Sequence, residues 1–350
     1  MTDTWLITGG AGFIGSHFVY EVLMNTTVNV VVMDNLTYAG RLQNLAGLEG
    51  HPRLHHIRAD IADRSAVAAV FGEHRPAAVI NLAAETHVDR SIDGPAAFIQ
   101  TNVVGTFELL EASRKLVASG GRDSFRFLQV STDEVYGSLD GGRVDEEASY
   151  QPNSVYSASK ASADHLVRAY HKTFQMGTVI THCSNNYGPR QLPEKLIPLA
   201  ILNAIEAKPI PIYGDGENVR DWIYVKDHAS GILKALEWGT PGQTYNLGAD
   251  NELTNLQVID ALCAGLEAEF PASTNPAMLA AGVASYADLK AFVEDRPGHD
   301  RRYSIDSSKI RSNLGWYPKA SFNEALRTTI QWYLANRGSE NPDLRSRRGV

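Results

Sequence analysis

The 350-residue chain is 43% hydrophobic and 21% charged and carries a formal net charge of −8. That length allows one large or two medium domains with a substantial core, and the acidic balance argues against general nucleic-acid binding while leaving room for a local basic pocket that takes a phosphorylated small molecule. No low-complexity tract, repeat or bilayer-length apolar run is present, and Cys183 and Cys263 have neither CxxC nor metal-ligand spacing, so they read as buried small hydrophobes with no metal expected.

Met1-Thr-Asp-Thr leads into an apolar strand, Trp5 to Thr8, with no basic, signal-type stretch ahead of it, and the expected compartment is the cytoplasm. Gly9-Gly10-Ala11-Gly12-Phe13-Ile14-Gly15 follows at once, and the pattern then predicts an amphipathic helix over Ser16 to Met24. Strand, glycine turn and helix together form a dinucleotide-binding context. Gly9 and Gly12 permit a tight turn and a close approach to a pyrophosphate at the helix N-terminus, and Gly15 lets the helix pack on the strand. The spacing is Gly-x-x-Gly-x-x-Gly rather than Gly-x-Gly-x-x-Gly. A second strand, Val28 to Met33, ends in Asp34, where an acid binds a ribose 2′-hydroxyl and repels a 2′-phosphate. NAD is therefore expected over NADP.

The alternation continues with a strand over Leu54 to Arg58, which ends at Asp60-Ile61, an adenine contact, and a helix around Ser65 to Phe71. A strand over Ala77 to Leu82 opens into Ala83-Ala84-Glu85-Thr86-His87, and a helix over Ala96 to Ala118 carries Thr101-Asn102. Next come a strand over Phe125 to Val130, a helix over Ser157 to Phe174 and a strand over Thr178 to Thr181. Such a chain implies an α/β fold, a Rossmann-type doubly wound parallel sheet with ligands at the strand C-terminal ends, where Gly12, Asp34, Ala83 and Thr132 fall. Residues 1–183 read as the NAD-binding domain, rejoined by about 219–250. Residues 184–218 and 251–340 read as a smaller, interleaved substrate domain.

Two stretches carry the chemistry. Ser131-Thr132-Asp133-Glu134 closes an apolar strand, and Tyr156-Ser-Ala-Ser-Lys160 puts a phenol and an ammonium one helical turn apart on one face. A cation beside a phenol favours the phenolate, so Tyr156 is expected to act as a base nearer neutrality, suited to an alcohol losing hydride. An acid and a base next to a redox site suggest a second reaction on the oxidised intermediate. Sequence does not separate the roles of the two carboxylates. Glu146-Glu147, in a Gly- and Asp-rich loop, reads as solvated. His165, His171 and His228 lack ligand spacing, and the terminal Arg345-Ser-Arg-Arg reads as a frayed tail.

The glycine turn with Tyr156-x-x-x-Lys160 resembles the extended short-chain dehydrogenase/reductase superfamily. Within it, the chain resembles the dTDP-glucose 4,6-dehydratases. Leu82-Ala-Ala-Glu-Thr-His-Val-Asp-Arg-Ser91, Ser131-Thr-Asp-Glu-Val-Tyr-Gly137 and Tyr156-Ser-Ala-Ser-Lys160 carry this resemblance in the first half. Ser184-Asn-Asn-Tyr-Gly-Pro189, Pro193-Glu-Lys-Leu-Ile-Pro198, Arg220-Asp-Trp222 and Asp295-Arg-Pro-Gly-His-Asp-Arg-Arg-Tyr303 carry it further on.

The resemblance implies a redox-neutral dehydration of a nucleoside-diphosphate glucose. Tyr156 takes the 4-hydroxyl proton as hydride leaves for NAD⁺, with Thr132 on the 4-oxygen and Lys160 on the nicotinamide ribose. Glu134 removes the C5 proton, Asp133 protonates the departing 6-hydroxyl, and hydride returns to C6. It also implies a cofactor set that includes Phe13, Ile14, Asn35, Leu36, Thr37, Leu82, Ala83 and Ala84, then Thr86, Thr101 and Asn186. The implied substrate grips are Thr86, His87, Asn185, Glu194, Lys195 and Leu196, followed by Pro211, Ile212, Tyr213, Arg220, Asn255, Arg296 and His299. Arg220 and Arg296 suit a diphosphate, which guanidinium binds in a bidentate manner, and Tyr213 suits stacking on the base. Helices 96–118 and 157–174 resemble the pair through which the family forms homodimers. A nucleotide-sugar 4-epimerase, which needs no elimination pair, a nucleotide-glucuronate decarboxylase, which typically lacks Asp133, and a non-catalytic dinucleotide sensor are the competing readings. The segment Ala272 to Ala291 looks longer than the family's usual pattern.

Overall fold

The structure is a computed structural model that describes residues 2–120, 124–295 and 298–337. The strands are β1 (Thr4–Thr8), β2 (Asn29–Asp34), β3 (Leu54–Arg58), β4 (Ala78–Asn81), β5 (Arg126–Thr132), β6 (Thr178–Cys183), β7 (Asn185–Tyr187), β8 (Ile210–Tyr213), β9 (Val219–Tyr224), β10 (Thr244–Leu247), β11 (Glu252–Thr254), β12 (Lys290–Val293) and β13 (Arg302–Tyr303). The helices are α1 (Phe13–Asn25), α2 (Arg64–His74), α3 (Val88–Asp93), α4 (Pro95–Phe98), α5 (Thr106–Ala118), α6 (Val155–Phe174), α7 (Leu196–Ile205), α8 (Val225–Trp238), α9 (Asn255–Glu269), α10 (Pro276–Ala281), α11 (Ser308–Leu314) and α12 (Phe322–Ala335).

Seven parallel strands form the main sheet in the order β10-β6-β5-β4-β1-β2-β3. Strand order reverses between β1 and β4, so a crevice opens there at the C-terminal ends. Apolar strands buried on both faces explain why the sheet needs helices on each side. Ile7, Val30, Val32, Ile80, Leu128 and Val130 face α1 and α8, while Leu6, Val31, Met33, Val79, Phe127 and Ile180 face α2, α5 and α6. Successive residues point to opposite faces, and both faces are covered.

Capping sets where the helices begin. Ser154 and Ser157 form a reciprocal capping box that starts α6 two residues earlier than the periodicity predicts, and Asp63 accepts from Ser65 N and Ala66 N at the start of α2. The long helix expected over 96–118 contains a π-helical segment, Ile99–Gly105, between α4 and α5. Two smaller sheets flank a separate core built on α7, α9 and α12: β11-β9-β13 with β7 on β9, and β12 with β8. Strand β9, placed by sequence in the returning stretch 219–250, pairs in this smaller unit; the return to the main sheet is made by α8, packed on α1, and β10, paired with β6. Segment 272–291 forms a 3₁₀ turn, α10 and a second 3₁₀ turn, and feeds β12.

Candidate active site

The cleft at the sheet's C-terminal edge is built first from the glycine turn. Gly9 has φ +68°, and a Cβ there would lie 2.7 Å from the Ala83 backbone nitrogen, so this contact between the β1 and β4 ends requires glycine. At Gly15 a Cβ would lie 2.1 Å from the Gly9 carbonyl oxygen. The first turn of α1 holds no acidic residue and its N-cap, Gly12, offers no side-chain bond, which leaves N–H groups and a positive helix end facing the cleft. Asp34 accepts from Ala11 N and Leu36 N, each at 2.9 Å, so the carboxylate is fixed beside the turn. These features fit a dinucleotide: a cradle for pyrophosphate and an oriented acid for a ribose. Replacing Gly15 with Val forces backbone apart at this contact, an overpacking of about 1–3 kcal/mol. The expected result is a lower Tm and protein that loses NAD on gel filtration; full retention of NAD would refute the cradle.

Strand β5 delivers the reactive groups. The Thr132 hydroxyl accepts from Glu134 N at 3.3 Å, which caps the 3₁₀ turn Asp133–Tyr136, and donates to Asp133 Oδ1 at 3.3 Å. Asp133 is only 3% exposed, and its Oδ2 makes no hydrogen bond among the described residues. Burial first, and then the charge of Glu134, pushes its carboxyl well above the usual range, against the pull of Arg220. The protonated form is thereby favoured. Tyr156, 8% exposed, meets the Thr132 hydroxyl.

Lys160, one turn along α6 from Tyr156, is anchored on β5. Its ammonium donates to the Val130 carbonyl at 2.7 Å, and burial followed by the negative charge of Glu134 holds the Tyr156 phenol above its ordinary value rather than below it. Burial also pulls the Lys160 ammonium down, and Asp164 opposes this.

Of the expected cofactor residues, Gly9, Gly12, Phe13, Ile14, Gly15, Asp34, Asn35 and Thr37 line the cleft, as do Asp60, Ile61, Leu82, Ala83, Ala84, Thr86, Thr101, Tyr156, Lys160 and Asn186. Leu36 does not; its side chain packs toward the α1/α8 core. Thr86, Thr132, Asn185 and Lys195 line the same cleft, and the Lys195 ammonium reaches the Thr86 carbonyl at 3.2 Å.

The other expected substrate residues among those described lie off this wall. His87 and Arg90 approach the Glu194 carboxylate at 3.7 and 3.3 Å, and Leu196 packs into the smaller core. Pro211 and Ile212 are buried in β8, Tyr213 meets the His299 ring edge-on at 6.4 Å, and His299 Nδ1 lies 2.7 Å from Asp295 Oδ1. Asn255 opens α9. Arg220, expected to grip a diphosphate, is buried with its guanidinium donating to the Val219 carbonyl at 2.8 Å and the Asp300 carbonyl at 2.7 Å. Arg296 and the tail at Arg345 lie outside the described residues.

Several neighbours were not read from sequence. Met33, Gly40, Glu85, Val130, Ser131, Cys183, Ser184, Gln191 and Leu192 also line the cleft. Gly40 packs against the fixed acid, because a Cβ there would lie 2.3 Å from Asp34 Oδ1. Asn102 clamps the strand-end loop by accepting from Glu85 N at 2.9 Å and donating to the Glu85 carbonyl at 3.0 Å. His228 donates from Nδ1 to Asn186 Oδ1 at 2.9 Å and fixes that amide, whose nitrogen donates to the Ser184 carbonyl. Glu146 is not solvated as expected: it is half-buried and accepts from Asn246 N at 2.7 Å. Cys183 and Cys263 are buried free thiols, as the spacing implied.

The profile of the GDP-mannose 4,6 dehydratase family matches residues 6–329. The chain is 52% identical over 337 residues to the dTDP-glucose 4,6-dehydratase of Neisseria gonorrhoeae, covering 95% of this chain and 96% of the relative. The solved structure of the dTDP-glucose 4,6-dehydratase DesIV from Streptomyces venezuelae with NAD and TYD bound has a TM-score of 0.87 at 42% identity, covering 97% of this chain and 99% of that one. A Thermotoga maritima UDP-glucose 4-epimerase with UDP-glucose has a TM-score of 0.83 at 28% identity, covering 95% and 99%. The fold alone therefore does not separate dehydration from epimerisation.

Proposed function

The chain belongs to the dTDP-glucose 4,6-dehydratase family, and we propose that Thr132, Asp133, Glu134, Tyr156 and Lys160 carry its chemistry. It is an NAD-dependent hydro-lyase that converts dTDP-glucose to the 4-keto-6-deoxy sugar by oxidation at C4, loss of water across C5 and C6, and reduction at C6. When bound, NAD supplies the redox chemistry and, oxidised, a positive charge that favours the phenolate.

Tyr156 accepts the proton of the 4-hydroxyl, and Thr132 hydrogen-bonds the same oxygen. The new ketone acidifies the C5 hydrogen, which Glu134 removes as a general base. Asp133 gives its proton to the departing 6-hydroxyl. The single observation that carries this reading is the buried Asp133 carboxyl, pushed up by burial and by Glu134, at the end of β5 and joined to Tyr156 through the Thr132 hydroxyl. An epimerase has no use for such a pair.

The glycine turn, Asp34, Asp60, Ile61, Leu82 to Ala84, Thr101 and Asn186 hold NAD. Thr86, Asn185 and Lys195 reach the sugar and diphosphate, while Tyr213, Arg220, Asn255, Arg296 and His299 hold the nucleotide from the smaller unit. Residues up to 183, with α8 and β10, serve the cofactor, and the rest serve the substrate. The reading extends to a homodimer formed through 95–118 and α6, supported by the exposed Ile99 and Phe174 on those helices. A cytoplasmic location is supported by the two free thiols.

Purified protein given dTDP-glucose should release a product lighter by one water with no net NADH at completion. Inversion at C4 as the only change would refute the dehydratase. Light scattering after gel filtration should give the mass of two chains; a single-chain mass would refute the dimer.

A further inference from the structure

The proposed chemistry leaves a buried cluster behind α6 without a role. Asp164 lies one helical turn beyond Lys160 on the same face, and both are buried, at 0% and 4% exposure. The Asp164 Oδ2 accepts from the Ser131 hydroxyl at 2.7 Å and lies 3.2 Å from His182 Nε2. Oδ1 makes no hydrogen bond among the described residues. His182 is held in turn by the Tyr136 hydroxyl, 2.8 Å from Nδ1, and the Tyr150 hydroxyl, 3.0 Å from Nε2. The Asn246 amide, whose nitrogen donates to the Val144 and Asp306 carbonyls, presents its oxygen 3.3 Å from Nδ1. The carboxylate is therefore fixed from β5, β6 and β10 at once.

We propose that Asp164 is a positioning residue of the reaction: the buried counter-anion, fixed by Ser131 and His182, that keeps the Lys160 ammonium charged beside Tyr156. The inference rests on the reaction assigned above. Lys160 needs such a partner because its ammonium donates to the neutral Val130 carbonyl, and a buried cation without an anion gives up its proton. Burial is the largest influence on Lys160 and draws it down; Asp164 is the largest one raising it, followed by Cys183. The titratable groups around Lys160 are Tyr156 and Asp164 on α6, Asp133 and Glu134 on the 3₁₀ turn, and His182 and Cys183 on β6. The strand that presents Thr132 to the sugar thus also presents the adjacent Ser131 to the carboxylate.

The sign follows from the charges. Removing an anion next to a cation makes the cation easier to deprotonate, by about one to three pH units for a close pair. The test is single-turnover oxidation of dTDP-glucose by the holoenzyme from about pH 6 to about pH 10. In Asp164→Asn the alkaline decline should begin about one unit or more below that of the wild type, and the rate should recover on acidification. A uniform loss at every pH, with the decline unmoved, would overturn the proposal, because a merely structural role has that outcome. Asp164→Glu keeps the charge, so its decline should stay within about half a unit of the wild type. That variant carries the test if Asn does not fold, and a displacement of about a unit or more in it would likewise overturn the proposal. A wild-type enzyme that leaves dTDP-glucose unoxidised would count against the assigned reaction instead.

Discussion

Asp133→Asn is expected to leave oxidation of the sugar running while slowing loss of water by about 10²–10⁴-fold, the usual contribution of a general acid. NADH should then accumulate on the enzyme during turnover, visible as a near-ultraviolet absorbance that persists while product formation lags. The asymmetry follows from position. Asp133 Oδ2 is buried and makes no hydrogen bond among the described residues, whereas the oxidation step uses Tyr156 and Thr132. A variant that no longer oxidises the sugar would contradict the role. The same substitution should raise stability near neutral pH. The folded-state pKa of Asp133 lies above its ordinary value of 3.8, so the folded state holds this proton more tightly than the unfolded chain does. That contribution is present in full below the ordinary value and is lost as pH rises through the folded one. Asn cannot lose a proton, so the gain in Tm over the wild type should be absent near pH 3.8 and should grow toward neutrality. A Tm difference that is flat with pH would count against a buried titrating acid.

Tyr156→Phe is expected to act one step earlier. It should lower single-turnover oxidation by about 10²–10⁴-fold without NADH accumulating, because the group that takes the 4-hydroxyl proton is gone. Binding of NAD should be little changed, since Gly9, Gly15 and Asp34 form their cradle without the phenol. The two variants together separate the steps: one stalls before the oxidised intermediate and the other after it. Were Tyr156→Phe to build up NADH as Asp133→Asn does, the phenol would not be the base of the first step.

Local chemistry was legible from the chain because short segments determine it. The glycine turn, Asp34 at the end of a strand, and Tyr156 with Lys160 on one helical face are set by spacings of a few residues. Groups whose partners lie far away were not. Glu146 sits in a polar loop and reads as solvated, yet it accepts from Asn246, 100 residues on. Asp164 and His182 look unremarkable in their own segments and acquire meaning only where β5, β6 and α6 converge. Arg220 has the chemistry of a diphosphate grip, and tertiary packing also gives its guanidinium the carbonyls of Val219 and Asp300, contacts that its own segment does not announce. The burial of Tyr156 and its nearness to Glu134, which push the phenol up, come from the fold and not from the Tyr-x-x-x-Lys spacing.

The π-helical segment Ile99–Gly105 bears on how this chain tolerates insertion and deletion. A π turn takes up an extra residue between the helical halves on either side of it. Upstream, Phe98 is set edge-on to the Tyr156 ring at 6.4 Å; within the segment, Thr101 faces the cleft and Asn102 clamps Glu85; downstream, Leu109 and Leu110 enter the core under the sheet. Deleting one residue here would let the segment wind as α with the flanking halves in their present phase, while the residues inside it shift round the axis. Phe98 and the leucines would keep their faces, and Thr101 and Asn102 would lose the cleft and the clamp on Glu85. Residue number in this stretch is therefore under tighter constraint than residue identity, and point substitution is the milder perturbation.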